Sequence, residues 1–184
     1  KNKLHNEINQ LLNQRFVLAT TGITVFGVFT AFSAPKSSLN LNSSELNLLY
    51  VGTIFLMTFL ALLCYWASIL ENNINLINQY LIKCNASEWE KDIREVIDKK
   101  TNQHNSFYIL KVFFILGLLA SAWPVAIEYA TSDFKDLLQG RHYLMIISLL
   151  VYWGILWWFA SSYTEKTKET ISTAWNAILN RSPD

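Results

Sequence analysis

Cysteine and histidine are scarce in this sequence of 184 residues, which contains two cysteines and three histidines. Cys64 and Cys84 are too few for a disulfide framework or for a zinc site with four cysteines. His5, His104 and His142 lie far apart in the sequence, and no His-x-x-x-His, Gly-x-Ser-x-Gly or phosphate-loop pattern occurs. We therefore predict no metal site, no cofactor and no catalytic residues, and we expect a protein that is not an enzyme.

Charge is also scarce. Only 16% of the residues are charged, against about 25% in an ordinary soluble domain. Fifteen lysines and arginines balance fourteen acidic residues, so the formal net charge is +1. Direct nucleic-acid binding needs a clustered basic surface, and this composition gives no sign of one. We predict no such binding.

The charges that exist leave four long apolar stretches between them. Residues 16–35, 46–70 and 112–127 contain no charged side chain, and residues 142–164 contain only His142. A bilayer core of about 30 Å needs about 20 apolar residues in a helix. We predict an all-α polytopic membrane protein, a single membrane domain over residues 1–184, with spans at about 15–34, 47–70, 107–130 and 143–163.

Two other interpretations of these stretches fit less well. A soluble helical bundle of this size has no need for four such apolar runs. A membrane β-barrel would show alternating polarity, which is absent from these runs. The first run is too long for the apolar core of a cleaved signal peptide, and a polar segment of about fifteen residues precedes it. We therefore expect it to be a transmembrane helix.

Lysine and arginine are unequally distributed around the predicted spans. Eleven lie in the N-terminal segment, between spans two and three, and in the C-terminal tail. Three, namely Lys36, Lys135 and Arg141, lie in the two remaining loops. Loops rich in basic residues stay on the cytoplasmic side of a membrane. We therefore predict that both termini and the middle segment are cytoplasmic.

The cytoplasmic parts carry apolar residues at helical spacing. We predict short amphipathic helices over about 3–14, 72–84, 88–104 and 165–180. Their polar faces are mixed in charge and rich in asparagine, which favours a small cytoplasmic bundle over helices that lie on the membrane surface. Large apolar side chains are frequent anchors at protein interfaces. We predict that a cytosolic partner is bound by Trp89, Ile93, Trp175 and Ile178.

A few residues within the spans are candidates for a pore or an oligomer interface. Thr20, Thr24 and Gly27 form a stripe of small and hydroxyl residues, which either packs within the chain or faces another copy. Lys111 lies about one turn inside span three, where its ammonium group either reaches the cytoplasmic headgroups or lines a path. Glu128 ends the same span, either at the interface or as part of an acidic ring at a pore mouth.

The four spans, the short outer loops and the larger cytoplasmic part together resemble the small four-span membrane components of bacterial anti-phage systems, such as the membrane subunit of the Kiwa system. The resemblance covers the span plan of the whole chain and includes no motif. It implies a homo-oligomer in the bacterial inner membrane that works with a cytosolic effector, and it assigns no functional residue.

Two functions follow as hypotheses. In the first, the protein is an oligomeric sensor or scaffold of the inner membrane that recruits or regulates a cytosolic partner, in anti-phage defence. In the second, it is a pore-forming membrane effector or channel subunit. The first needs partner-binding helices on the cytoplasmic side, and the second needs a polar path across the bilayer.

Overall fold

Four α-helices account for most of the chain. A computed structural model describes residues 2–34, 42–83, 88–131, 140–161, 170–171 and 173–177, and within these it describes residues 88–108 by their backbone alone. In chain order the helices are α1 (Asn2–Ser33), α2 (Ser43–Lys83), α3 (Glu88–Thr131) and α4 (Gly140–Ser161). Each contains a stretch long and apolar enough to cross a membrane, namely Asn6–Ser33, Ser43–Leu81, Ile109–Ala130 and Gly140–Phe159. The prediction of an all-α chain with four helices of membrane-spanning length is confirmed.

The first three helices extend past the spans predicted within them. In α1 the segment 3–14 and the first span form one continuous helix. α2 continues from the second span through Lys83, and α3 contains both the segment 88–104 and the third span. Residues 84–87, which include the predicted break at 85–87 between the helices over 72–84 and 88–104, lie outside the described residues, and so do residues 162–169 in the tail.

Local hydrogen bonds determine where α2 begins. The backbone N–H of Asn42 donates to Oε2 of Glu45 at 3.0 Å, and the backbone N–H groups of Glu45 and Leu46 donate to the carbonyl oxygen of Asn42. A carboxylate that reaches back to the N-cap backbone is half of a capping box. It also lies where the helix dipole favours negative charge. This cap sets the level of Tyr50, two turns further along α2.

The helix α2 lies at the centre of the arrangement. It contacts each of the other three helices, and α3 contacts α1 and α4 as well. Within the described residues α1 and α4 do not contact each other. The order of packing therefore places α1 on one side of the α2–α3 pair and α4 on another.

Glycines in α1 and α2 show the direction of packing. Gly52 lies against the Phe29 ring, and Gly22 lies against Leu60. Sequence numbers therefore rise along α1 as they fall along α2, so the two helices are antiparallel. Gly22 also faces Phe113, whose Cε1 atom would lie 3.1 Å from an added Cβ. The missing side chain thus lets α1, α2 and α3 meet at one level.

The buried core is continuous, and the outer faces of the helices are apolar too. Leu60, Phe113 and Leu156 are almost completely buried. Many large apolar side chains are exposed instead, including Phe32, Phe55, Trp157 and Trp158. Soluble monomers rarely expose contiguous apolar surface on this scale. Such a surface is compatible with contact to the acyl chains of lipids. The described helices have the character of a multi-pass membrane protein.

The closest approach between α3 and α4 depends on Gly117. A Cβ added to Gly117 would lie 2.1 Å from Cε1 of Tyr152. The same tyrosine donates its hydroxyl hydrogen to the carbonyl oxygen of Phe113 at 2.7 Å. Because this hydrogen bond holds the ring in place, the ring has little freedom to move away from a larger residue at position 117.

We expect Gly117→Ala to destabilise the folded chain by about 1–3 kcal/mol, the usual cost of overpacking a buried contact. The measurement is thermal unfolding in a mild detergent. Gly154→Ala is the matched control, because nothing lies within 4 Å of a Cβ added there. Equal stability of Gly117→Ala and the control would show that the Tyr152 ring does not constrain this position.

Candidate functional site

A carboxylate is held inside the helix bundle near one end. Glu128 is 6% exposed. Its Oε2 atom accepts a hydrogen bond from the Tyr50 hydroxyl at 2.7 Å and lies 3.2 Å from Nε2 of His142. Its Oε1 atom pairs with Nη2 of Arg141 at 3.1 Å. We call these four residues the Glu128 cluster.

The antiparallel order of the helices brings the Glu128 cluster together. Tyr50 lies near the start of α2, Glu128 near the end of α3, and Arg141 and His142 at the start of α4. The Tyr50 and His142 rings meet edge to face, with centroids 6.1 Å apart. The cluster therefore joins α2, α3 and α4 at a single level.

Electrostatics explain why a buried glutamate is tolerated here. A buried carboxylate is costly unless it is paired and hydrogen-bonded, and Glu128 has both a guanidinium and a hydroxyl donor. The Arg141 charge opposes its own, so the cluster does not attract a further cation. Among the described residues no group of His, Cys, Asp and Glu could hold a metal ion. This geometry supports a structural role, in which the Glu128 cluster holds three helices together.

A second ion pair joins α1 to α2 at the opposite end. Arg15 and Glu71 form a salt bridge in which both side chains are largely buried, at 13% and 11% exposed. In the sequence Arg15 is simply a basic residue before span one, and Glu71 is an acidic residue after span two. Nothing in the sequence pattern links the two. Their pairing follows once α1 and α2 are known to be antiparallel, because these positions then reach the same level.

Beside this ion pair lies an open groove between α1 and α2, with a volume of about 730 Å³. Carboxamide side chains line its outer half, and apolar side chains line the half nearer the bundle core. The lining residues are Asn6, Asn9, Gln10, Asn13, Gln14, Val17, Leu18, Trp66 and Leu70. We call this the carboxamide groove. No charged side chain belongs to the described lining, so the groove presents hydrogen-bonding groups without net charge.

The predicted small-residue stripe lies on the outside of α1. The Thr20 hydroxyl donates to the carbonyl oxygens of Val17 and Phe16, and that of Thr24 donates to Thr20. Thr24 and Gly27 are exposed, and nothing lies within 4 Å of a Cβ added to Gly27. The alternative in which this stripe packs within the chain is therefore wrong for these two residues.

Lys111 and Glu128 are placed differently from each other. Lys111 is exposed on the surface of α3, whereas Glu128 is buried and held by the same chain. A path lined by Thr20, Thr24 and Lys111 would run along the outer surface of the described chain. Such a path would need another copy of the chain to enclose it.

The predicted partner-binding residues are only partly described. The Trp175 ring packs on that of Tyr80, with centroids 4.9 Å apart, so the tail contacts the far end of α2. In that part of α2, Ile74 and Leu81 are buried. The side chains of Trp89 and Ile93 and all of Ile178 lie outside the described residues.

Neither a known protein family, nor a curated protein, nor a solved structure matches this chain.

We expect the Glu128 cluster to stabilise the fold cooperatively. Tyr50→Phe removes a hydrogen bond to a charged group, at a cost of about 1.5–3 kcal/mol. Glu128→Gln removes one charge of the buried Glu128–Arg141 ion pair and costs about 3–5 kcal/mol. The double variant should cost less than the sum, because both changes remove the same hydrogen bond. Unfolding in detergent micelles measures all three.

Tyr143→Phe provides the matched control for this cycle. Tyr143 follows His142 directly but is 53% exposed, so its replacement should change stability by about 0.5 kcal/mol or less. If the losses of unfolding free energy in Tyr50→Phe and Glu128→Gln simply add, the two side chains act independently. The Glu128 cluster then does not stabilise the fold cooperatively.

Proposed function

We propose that this chain is a non-enzymatic subunit of the bacterial inner membrane, an oligomeric sensor or scaffold that recruits or regulates a cytosolic protein. Both termini lie in the cytoplasm in this proposal. The resemblance of its span plan to small anti-phage membrane components supports antiviral defence as the setting. The observation that carries the proposal is the length of α2 and α3 relative to a bilayer.

Both central helices are much longer than a membrane crossing requires. α2 has 41 residues and α3 has 44, which at 1.5 Å per residue correspond to about 60 Å and 65 Å. The hydrocarbon core of a bilayer is about 30 Å thick. Tyr50 and Glu128 hold one end of each helix at the same level, so the additional length lies at the other end.

The extended end has the features of a protein-binding surface. It coincides with the segments that contain eleven of the fifteen lysines and arginines, which supports a cytoplasmic location. The contact between the Trp175 and Tyr80 rings supports a small helical bundle there, to which the tail contributes. A folded helical extension of this kind suits the binding of a cytosolic protein better than the transport of a small molecule.

The exposed stripe on α1 supports self-assembly. Among the described helices α1 packs only on α2 and α3, and Thr24, Gly27 and Ala31 face outward. Small residues let two membrane helices approach closely. We propose that α1 forms the contact between copies in the homo-oligomer.

A pore between copies is the second candidate function. The outward position of Thr20, Thr24 and Lys111 favours it only if several copies surround a common axis. The scaffold proposal needs no such axis. The two functions therefore differ in ion conductance and in the effect of charge at position 111.

The oligomer is tested by measuring the mass of the purified protein in mild detergent. We expect a defined homo-oligomer for the wild type and a monomer for Gly27→Leu, because the larger side chain separates the α1 helices. Gly154→Leu is the control, since Gly154 is another exposed helical glycine with open space around it. A monomeric wild-type protein contradicts the proposal.

The scaffold is separated from the pore by two further measurements. Purification from the native host should yield a soluble protein in fixed stoichiometry, and Trp175→Ala should reduce its recovery because the tail loses its contact with α2. Liposomes containing the oligomer should not conduct ions. Conductance whose ion selectivity changes in Lys111→Glu would instead establish the pore.

A further inference from the structure

The carboxamide groove has two chemically distinct halves arranged along α1. Asn6, Asn9 and Asn13 belong to the half farther from the bundle core, together with two glutamines. The other half is apolar and contains Leu18 and Trp66. A ligand that fills both halves must itself be amphipathic, with a polar part that forms hydrogen bonds and an apolar part that packs on leucine and tryptophan.

Aromatic residues indicate where a membrane surface would meet this groove. Trp66 is 60% exposed on α2, and Phe16 is exposed on α1 at the level of the groove. Trp157 and Trp158 are exposed toward the end of α4 that lies on the same side. Aromatic side chains collect at the boundary between headgroups and acyl chains. The apolar half of the groove thus faces acyl chains, and the carboxamide half begins in the headgroup layer and continues on its aqueous side.

The dimensions of the groove agree with this position. From Asn6 to Leu18, α1 rises about 18 Å, whereas one headgroup layer is about 5–7 Å thick. The carboxamides nearest the apolar half, Asn13 and Gln14, fall within that layer. Those of the preceding turns lie on its aqueous side.

The charges around the groove indicate which headgroup fits. Arg15 and Glu71 lie beside it, but they form a salt bridge with each other. The lining residues bring no net charge, so an anionic headgroup finds no matching cation among them. Each carboxamide offers one acceptor oxygen and two N–H donors. A zwitterionic headgroup with its own donors and acceptors complements that set.

We propose that the carboxamide groove binds a phospholipid with a primary ammonium headgroup, of the phosphoethanolamine class. Carboxamide N–H groups donate to its phosphate, and its ammonium group donates to carboxamide oxygens. A quaternary ammonium headgroup lacks those donors, and the negative charge of a phosphoglycerol headgroup is not compensated by any side chain of the described lining. The site requires only that this end of the bundle lies at a membrane surface. It is therefore independent of the oligomer and of the cytosolic partner.

The test is native mass spectrometry of delipidated protein in mild detergent, titrated separately with phosphatidylethanolamine, phosphatidylcholine and phosphatidylglycerol of identical acyl chains. We expect the first lipid to bind most tightly. In the double variant Asn13→Leu/Gln14→Leu its affinity should fall about tenfold, as expected for the loss of two hydrogen bonds. Both residues are exposed in the structure, so their replacement should leave the fold intact.

Asn73→Leu is the matched control, because Asn73 is an exposed carboxamide on α2 near the same end but not part of the groove lining. Its lipid affinities should equal those of the wild type. Equal binding of the three lipids, a preference for phosphatidylglycerol, or an unchanged preference in the double variant would overturn the proposal. A change of oligomeric mass in the double variant without any change in lipid binding would assign the groove to a protein segment instead.

Discussion

The buried carboxylate of Glu128 is the constraint on which the arrangement of α2, α3 and α4 depends. Its partners come from the start of α2 and the start of α4, so one side chain sets the level of three helix ends. Apolar contacts are not directional, whereas a buried charge tolerates the loss of its partner poorly. The contact between Tyr50 and Glu128 therefore determines at which end the additional length of α2 and α3 lies.

The two ends of the bundle differ in how their polar groups are satisfied. At one end, ionised and hydroxyl side chains are buried and bonded to one another. At the other end, the Arg15–Glu71 salt bridge is largely buried, but the neighbouring carboxamides line an open groove. The first end is closed by its own residues, and the second leaves hydrogen-bonding capacity for another molecule. This asymmetry agrees with a protein whose interactions concentrate on one side of the membrane.

The sequence alone predicts the four helices of membrane-spanning length, because length and lack of charge are local properties. It does not predict the face that each helix turns inward. Thr24 and Gly27 match the pattern of a packed stripe yet lie on the surface, since small residues suit both environments. Glu128 looks interfacial in the sequence, and its burial becomes visible only when Tyr50 and Arg141 are brought beside it. Which residues pair across helices depends on how the helices pack. The sequence pattern of a single helix does not contain that information.

The position of Arg141 and His142 on the last helix has a consequence for biosynthesis. Chains emerge from the N-terminus, so α3 is complete before α4 exists. Until α4 arrives, the Glu128 carboxylate has Tyr50 beside it but lacks its guanidinium partner. A buried ionisable group that has lost its oppositely charged partner is costly. A chain that stops before α4 therefore exposes a charge that is buried in the complete four-helix bundle. Truncated and complete chains differ in this respect.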